Sequence, residues 1–560
     1  MFVDARTLPE GTRLEADLCV IGAGAAGITL ARELAGGPLR VILLESGGFT
    51  MDPDAQGLAG GEVAGLPYMP LAGTRLRYFG GTTNHWGAVC RPFAQRDFEP
   101  EAHTPMSGWP IGLADLQPYY RRAGDVCGLA GFDELFKPAS EQTFPKGLAE
   151  AFEPHFVERV PTSRRRFAPT YRAELARARN VTVYLHANVL EIEADESVRR
   201  VVGVRATTFA RNGFTVAARG FVLAAGGIEN ARLLLLSRSR RPAGLGNDHD
   251  LVGRYFLEHP RFVAATLLPN ARALPSRMFE WRRVRRATIQ TYLRLTPAVR
   301  RREGIGQVLV RLEPVYAFGS DIQQSAAVRS LRSLVKSPMG DDFSRDLATV
   351  LDDLTTWQHA TIPGAPIPVP RPEVVREALR SPGTIKTRLP QLTGNIPTFV
   401  HSKLGGSLPV DRMRVTTIIV PAPDPDSRVT LCSDADALGQ PRSRLDWRLG
   451  ASDHRSARRT IEILAAEVGR CGAGRVKLLL EQDDQAWPED LRGGFHHMGT
   501  TRMSDDPRQG VVDRRCRVHG LANLFVAGSS VFPTAGSGTP TLALVALTLR
   551  LAHHLKRSFA

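Results

Sequence analysis

The chain has 560 residues, 43% of them hydrophobic and 23% charged, with a net charge of +15 and a pI near 10.0. That length predicts two or more domains with ample apolar surface to bury, and no run of about 18 apolar residues offers a transmembrane helix. The six cysteines (Cys19, Cys90, Cys127, Cys432, Cys471 and Cys516) form no C-x-x-C pair, which argues against zinc, thioredoxin-like chemistry or a disulfide framework. The arginine clusters at 164–166, 238–241 and 282–286 read as a solvated surface, since no nucleic-acid motif accompanies them. The N-terminus shows no charged segment followed by an apolar run, so a cytoplasmic location is expected.

Asp17–Ile21 is a short apolar run and reads as a buried strand. GAGAAG follows at 22–27, then ITLARELAG with apolar residues at helical spacing, then a second apolar strand, VILLES. Gly22, Gly24 and Gly27 fit G-x-G-x-x-G: a tight turn, a close backbone approach to a pyrophosphate, and close helix–strand packing. Glu45 ends the second strand, where a carboxylate accepts hydrogen bonds from ribose hydroxyls. Strand, turn, helix and acid together specify a dinucleotide, without separating FAD from NAD.

Residues 57–87 are glycine-rich and aperiodic, and read as a long functional loop. Residues 108–128 predict a turn and a helix; 181–224 alternate apolar and polar residues and predict strands joined by hairpins. A helix follows Gly226 and Gly227. Residues 260–420 are the least legible stretch, with strands expected at 306–312 and 413–420, a basic helix at 322–337 and a proline-rich loop at 361–372. A helix is expected over 453–470, and strand, loop and helix close the chain.

Six further segments complete the picture: YFGGTTNHWG at 78–87, GWPI at 108–111, LAAGGIENARLLL at 223–235, DLVGRYFLEHP at 250–260, HHMGTTRM at 496–503, and 520–555. With GAGAAG and ESGG, the chain resembles the glucose–methanol–choline (GMC) oxidoreductases, in particular bacterial members acting on sugars and glycosides. The resemblance implies an α/β (α+β overall) fold with a Rossmann-like FAD-binding domain and a second, substrate domain on an antiparallel sheet with helices. The expected division is 1–260 for FAD (76–179 partly on the substrate side), 261–490 for substrate, and 491–560 returning to the FAD domain.

The resemblance implies that FAD is the cofactor and that Gly22, Gly24, Ala25, Ala26, Gly27, Glu45, Ser46, Gly80, Gly81, Thr82, Thr83, Asn84 and His85 belong to its site. It adds Val189, Ala225, Gly226, Gly528, Ser529, Pro540 and Thr541. A covalent flavin link through His85 is raised by a pyranose-oxidising member with a similar T-H-W segment, without being favoured. No metal is expected.

Alcohol oxidation needs a base with a pKa near the working pH, which points to histidine. The resemblance assigns that role to His496, with His497 as its neighbour. Thr539 stands where the family usually carries asparagine or histidine beside the base. Threonine offers a single hydroxyl and cannot act as a base. Either Thr539 with a water serves, or His497 or His259 reaches in. Glu258 and His259 otherwise read as structural, and His103, His155, His186, His249 and His519 as surface or satisfied residues.

The expected function is FAD-dependent oxidation of a sugar, glycoside, polyol or related alcohol. Oxygen, a quinone or a separate redox protein would accept the electrons. Two alternatives stand beside it: a non-redox, lyase-like flavoprotein, motivated by Thr539, and a binding protein with degenerate chemistry.

Overall fold

The computed structural model describes residues 1–135, 144–145, 147–164, 166–270, 274–316, 410–483 and 486–559. The basic helix expected at 322–337 and the proline-rich loop at 361–372 lie outside these residues.

Among the described residues the chain builds two eight-stranded sheets and one three-stranded sheet. The first sheet runs in the order Phe2–Asp4, Val181–Leu185, Val41–Leu44, Thr12–Ile21, Gly213–Leu223, Val201–Thr207, Asn188–Ala194. Its first five strands are parallel and its last two antiparallel. Leu524–Val526 joins it from the far end of the chain, parallel to Phe221–Leu223. Apolar runs buried on both faces suit such central parallel strands, and Leu18, Cys19 and Val20 are fully buried. Helices Ala25–Leu34 and Pro540–Phe559 pack together over this sheet, and Leu113–Cys127 packs on the latter.

The second sheet is antiparallel throughout: Gly474–Leu478, Arg261–Pro269, Val410–Ile419, Val308–Tyr316, Ala287–Leu295, Phe152–Arg159, Val89–Cys90, with Arg282–Val284 against Ala287–Leu295. Helix Ala451–Arg470 lies on one face, burying Ala457, Ile461, Leu464 and Val468 against Phe262, Val310 and Val415. The other face looks toward the first sheet and carries the site described below.

Two expectations need correcting. Residues 57–87 are not a continuous loop: Gly61–Gly65 is a strand, parallel to Pro441–Trp447. Its GEVAG sequence has no apolar alternation, and its glycines serve approach instead; a Cβ on Gly61 would lie 2.1 Å from the Ser443 carbonyl oxygen. Second, Val181–Leu185 and Asn188–Ala194 do not form a hairpin. The chain turns at His186 with φ +59°, so the first strand joins the parallel set while the second pairs with Val201–Thr207.

Candidate active site

A cavity of about 670 Å³ lies between the two large sheets. Its nucleotide wall comes from the carboxyl ends of the parallel strands, where ligands of open α/β sheets bind. Gly22 turns there with φ +102°, and a Cβ would come within 2.7 Å of the Ala224 carbonyl oxygen. A Cβ on Gly27 would fall 1.8 Å from the Gly22 oxygen, so the helix can approach its strand only with glycine there. Gly24 caps helix Ala25–Leu34 and Gly226 caps helix Gly227–Leu236, neither with a side-chain hydrogen bond. The first-turn amides of both helices therefore remain for an anion.

The wall fits a dinucleotide on several counts. At Gly24, Gly226 and Gly528 an added Cβ would meet nothing within 4 Å. All three line the cavity, so side chains there would occupy ligand volume. Glu45 is buried and accepts from the amides of Ala23 (2.8 Å) and Gly47 (3.1 Å). Burial pushes its carboxyl above the ordinary range against those two donors. Arg75 and Arg77, also in the wall, stand 3.6 and 3.4 Å from Glu229. Arg232 holds Glu229 at 2.9 Å and Asp436 at 2.7 Å. Three cations against two carboxylates leave an excess positive charge. Arg75 Nε and Nη2 and Arg77 Nη1 are buried without a hydrogen-bond acceptor, and burial lowers the Arg75 pKa to about 10. A pyrophosphate would supply the missing acceptor and countercharge. Asn230 ties the two glycine turns together: its Oδ1 accepts from Ala225 N (2.8 Å) and its Nδ2 donates to Ser530 Oγ (2.9 Å).

At the other end, four distant parts of the chain meet around two histidines. Glu258 accepts from Tyr68 Oη (2.5 Å), His259 N (2.7 Å) and His496 N (2.9 Å). His259 Nε2 lies 2.9 Å from the Gly536 carbonyl oxygen, and its Nδ1 lies 2.8 Å from His496 Nδ1. A carbonyl only accepts, so His259 Nε2 carries a proton. In neutral His259, Nδ1 must then accept, and His496 Nδ1 must donate. Burial depresses the His259 pKa, which favours that neutral form. The consequence is a defined tautomer: His496 is protonated at Nδ1 and bare at Nε2, on a ring that lines the cavity. Burial, then His259, then Arg261 hold the His496 pKa well below the ordinary histidine value.

His497 differs. Its Nε2 is 3.1 Å from Tyr68 Oη, whose proton is given to Glu258, so His497 Nε2 donates. Burial takes its pKa down to about 4. Thr539 donates its hydroxyl proton to the Val89 carbonyl oxygen at 2.5 Å, leaving only lone pairs toward the cavity.

Of the residues expected from sequence, Gly22, Gly24, Ala25, Ala26, Glu45, Ser46, Gly81, Thr82, Thr83, His85, Val189, Ala225, Gly226, Gly528, Ser529, Pro540 and Thr541 line the cavity, with His496, His497 and Thr539. Gly27, Gly80 and Asn84 do not. Gly27 packs helix on strand, and Asn84 is buried, its Nδ2 donating to the Phe79 oxygen at 2.9 Å. His155 departs from expectation: it is fully buried, and among the described residues no side chain bonds to its ring nitrogens. Glu258 and His259 lie against His496 rather than merely at a junction. Tyr68, Arg75, Arg77, Arg159, Arg261 and Arg311 went unnoticed in the sequence. Of the last three, only Arg311 fell on an expected strand, at 306–312.

Residues 423–548 match a family model described as GMC oxidoreductase, and residues 17–243 one described as FAD dependent oxidoreductase. The fructose dehydrogenase large subunit of Gluconobacter japonicus is 24% identical, across 96% of this chain and 97% of its own. Paromamine 6'-oxidase of Streptomyces fradiae is 25% identical, across 96% and 90%. Among solved structures, formate oxidase superposes with a TM-score of 0.55 at 17% identity, covering 98% of this chain and 99% of its own. Pyridoxine 4-oxidase from Mesorbium loti gives 0.54 at 17%, covering 96% and 98%. The structural likenesses bear on the fold, which they share over nearly the whole chain. With the cradle for a dinucleotide already formed by the glycine turns, residues 17–243 carry the FAD dependent oxidoreductase domain and residues 423–548 the GMC oxidoreductase domain, which makes the chain an FAD-dependent, GMC-type oxidoreductase.

Proposed function

We propose that the protein oxidises an alcohol to a carbonyl compound, with His496 Nε2 taking the hydroxyl proton as the carbon-bound hydrogen departs as hydride. Bound FAD supplies the two-electron acceptor. The observation that carries the reading is the hydrogen-bond chain from Gly536 through His259 to His496, which leaves a neutral imidazole with its bare nitrogen at the cavity. A base needs that state, and positioned proton transfer contributes about 10²–10⁴-fold. Thr539, its own proton given to Val89, accepts from a neighbouring hydroxyl of the substrate, since the reacting hydroxyl's one proton goes to His496, and His497 holds Tyr68 rather than the substrate. The parallel-sheet unit holds FAD and the antiparallel sheet faces the substrate, following the division at about residue 260.

Relatives named as oxidases and dehydrogenases support oxidation, and none supports the lyase-like alternative. FAD is held without a bond to His85. The electron acceptor is oxygen, a quinone or a separate redox protein. No helix among the described residues is long and apolar enough to cross a membrane, and six free cysteines favour the reducing cytoplasm. The test is anaerobic mixing with sugars and polyols, reading flavin bleaching. Bleaching by at least one alcohol, lost in His496→Gln, is expected; bleaching that survives the substitution refutes the role of His496.

A further inference from the structure

The antiparallel sheet presents an unusual face to the cavity. Its register sets Arg261 opposite Ile418, Ile418 opposite Leu309, and Arg159 four residues along the strand from His155, the partner of Tyr292. Arg311 follows Leu309 by two residues. Alternation along strands therefore puts Arg159, Arg261, Arg311, Tyr292, Leu309 and Ile418 on one surface, and all six line the cavity. Three guanidinium groups are thus mounted on a rigid sheet opposite the nucleotide wall. Among the described residues, no carboxylate from this sheet lines the cavity with them.

The three arginines are not equally engaged. Arg311 pairs with Glu313 at 3.0 Å, and Arg159 lies over the Trp281 ring at 4.0 Å from its centroid. Among the described residues Arg261 has neither an ion pair nor a side-chain hydrogen bond, and its Nε is buried. Glu258 is near, but its oxygens already accept from Tyr68, His259 and His496. Arg261 is half-buried on the cavity wall, so an anion entering the cavity would pair with its guanidinium. Arg261 follows His259 by two residues, His259 touches His496 at 2.8 Å, and all three line the cavity, so whatever pairs with Arg261 sits near the base.

We propose that the substrate is an alcohol that also carries an anionic group, a carboxylate or a phosphate ester, and that Arg261 is its specificity-determining partner. The proposal rests on the alcohol-oxidation reading above and narrows its substrate class. The anion docks on the arginine face and presents a neighbouring hydroxyl to His496. Polycationic amino sugars are disfavoured by the same three charges.

The experiment titrates the FAD-loaded protein, under argon, with D-gluconate, glucose 6-phosphate, glucose and glucosamine. Calorimetry reads binding and flavin absorbance reads reduction. One anion or both should bind roughly 10- to 100-fold more tightly than glucose, the range of a charge-assisted hydrogen bond in a desolvated site. Gluconate alone identifies a carboxylate site, and glucose 6-phosphate alone a phosphate site. Arg261→Gln should abolish the preference, while Arg261→Lys keeps part of it; flavin content and Tm confirm that both variants fold. Glucose or glucosamine binding as tightly as the anions, or a preference that survives Arg261→Gln, overturns the proposal. Anions that bind through Arg261 without bleaching the flavin leave the anion site standing and count against alcohol oxidation. Neutral sugars that bleach while anions do not bind give the reverse.

Discussion

Replacing His259 with leucine removes the acceptor that fixes the His496 tautomer while roughly conserving volume. His496 Nδ1–H then faces apolar atoms where it had a partner at 2.8 Å. Leaving a buried donor unsatisfied costs about 1–3 kcal/mol. Shifting the proton to Nε2 escapes that cost and destroys the base. At 1.36 kcal/mol per decade, the competent tautomer should be depleted about 5- to 150-fold. The limiting rate of flavin reduction should fall by that factor, measured by anaerobic stopped flow on protein of checked flavin content. His259→Asn restores an acceptor and should recover most of the rate. Losing an imidazole neighbour also removes one of the effects that depress the His496 pKa, so the acid limb of the leucine variant should move to higher pH. A leucine variant with full flavin, wild-type reduction and an unmoved limb would refute the relay. So would an asparagine variant as slow as leucine.

His496→Gln should cut flavin reduction by about 10²–10⁴-fold with flavin content intact. In the wild type, a histidine held below its ordinary pKa stays neutral as pH falls through 6.5, so kcat/KM should hold its plateau there and drop only in more acid solution; a limb above pH 7 contradicts the assignment. Gly24→Val should yield protein that purifies without FAD, since its side chain would occupy open cavity, and normal flavin content would show that the wall is not the nucleotide site. Thr539→Val loses the hydrogen bond to Val89, worth about 0.5–1.5 kcal/mol; a Tm drop is expected with a rate loss smaller than that of His496→Gln. Acid precipitation should release free FAD, and yellow protein in the pellet would indicate a bond through His85.

The legible and illegible parts of the molecule separate by range of interaction. GAGAAG and Glu45 were readable because strand, turn, helix and acid are contiguous, each visible in local pattern. The same holds for helices Ala451–Arg470 and Pro540–Phe559. His496 was readable only through family resemblance. The relay behind it was not: the contact between His259 and His496 spans 237 residues, and nothing local in LEHP announces it. Strand Gly61–Gly65 escaped because its glycines meet a neighbouring backbone, a reason that no periodicity scan detects. The arginine face is assembled from residues on five strands, whose register exists only in the folded sheet.

The strand Leu524–Val526 has a consequence for how the protein comes into being. It pairs with Phe221–Leu223, so the nucleotide cradle gains a wall from residues about 300 positions further along the chain. About 300 residues must be synthesised after the first of these strands before the second can dock on it. Until then Phe221–Leu223 offers an unpaired apolar edge, the kind that invites association between chains. The cradle is complete for a flavin only once that strand has docked. Riboflavin-starved cells, or messages truncated before residue 524, should accumulate the chain in chaperone complexes and inclusion bodies rather than as folded apoprotein.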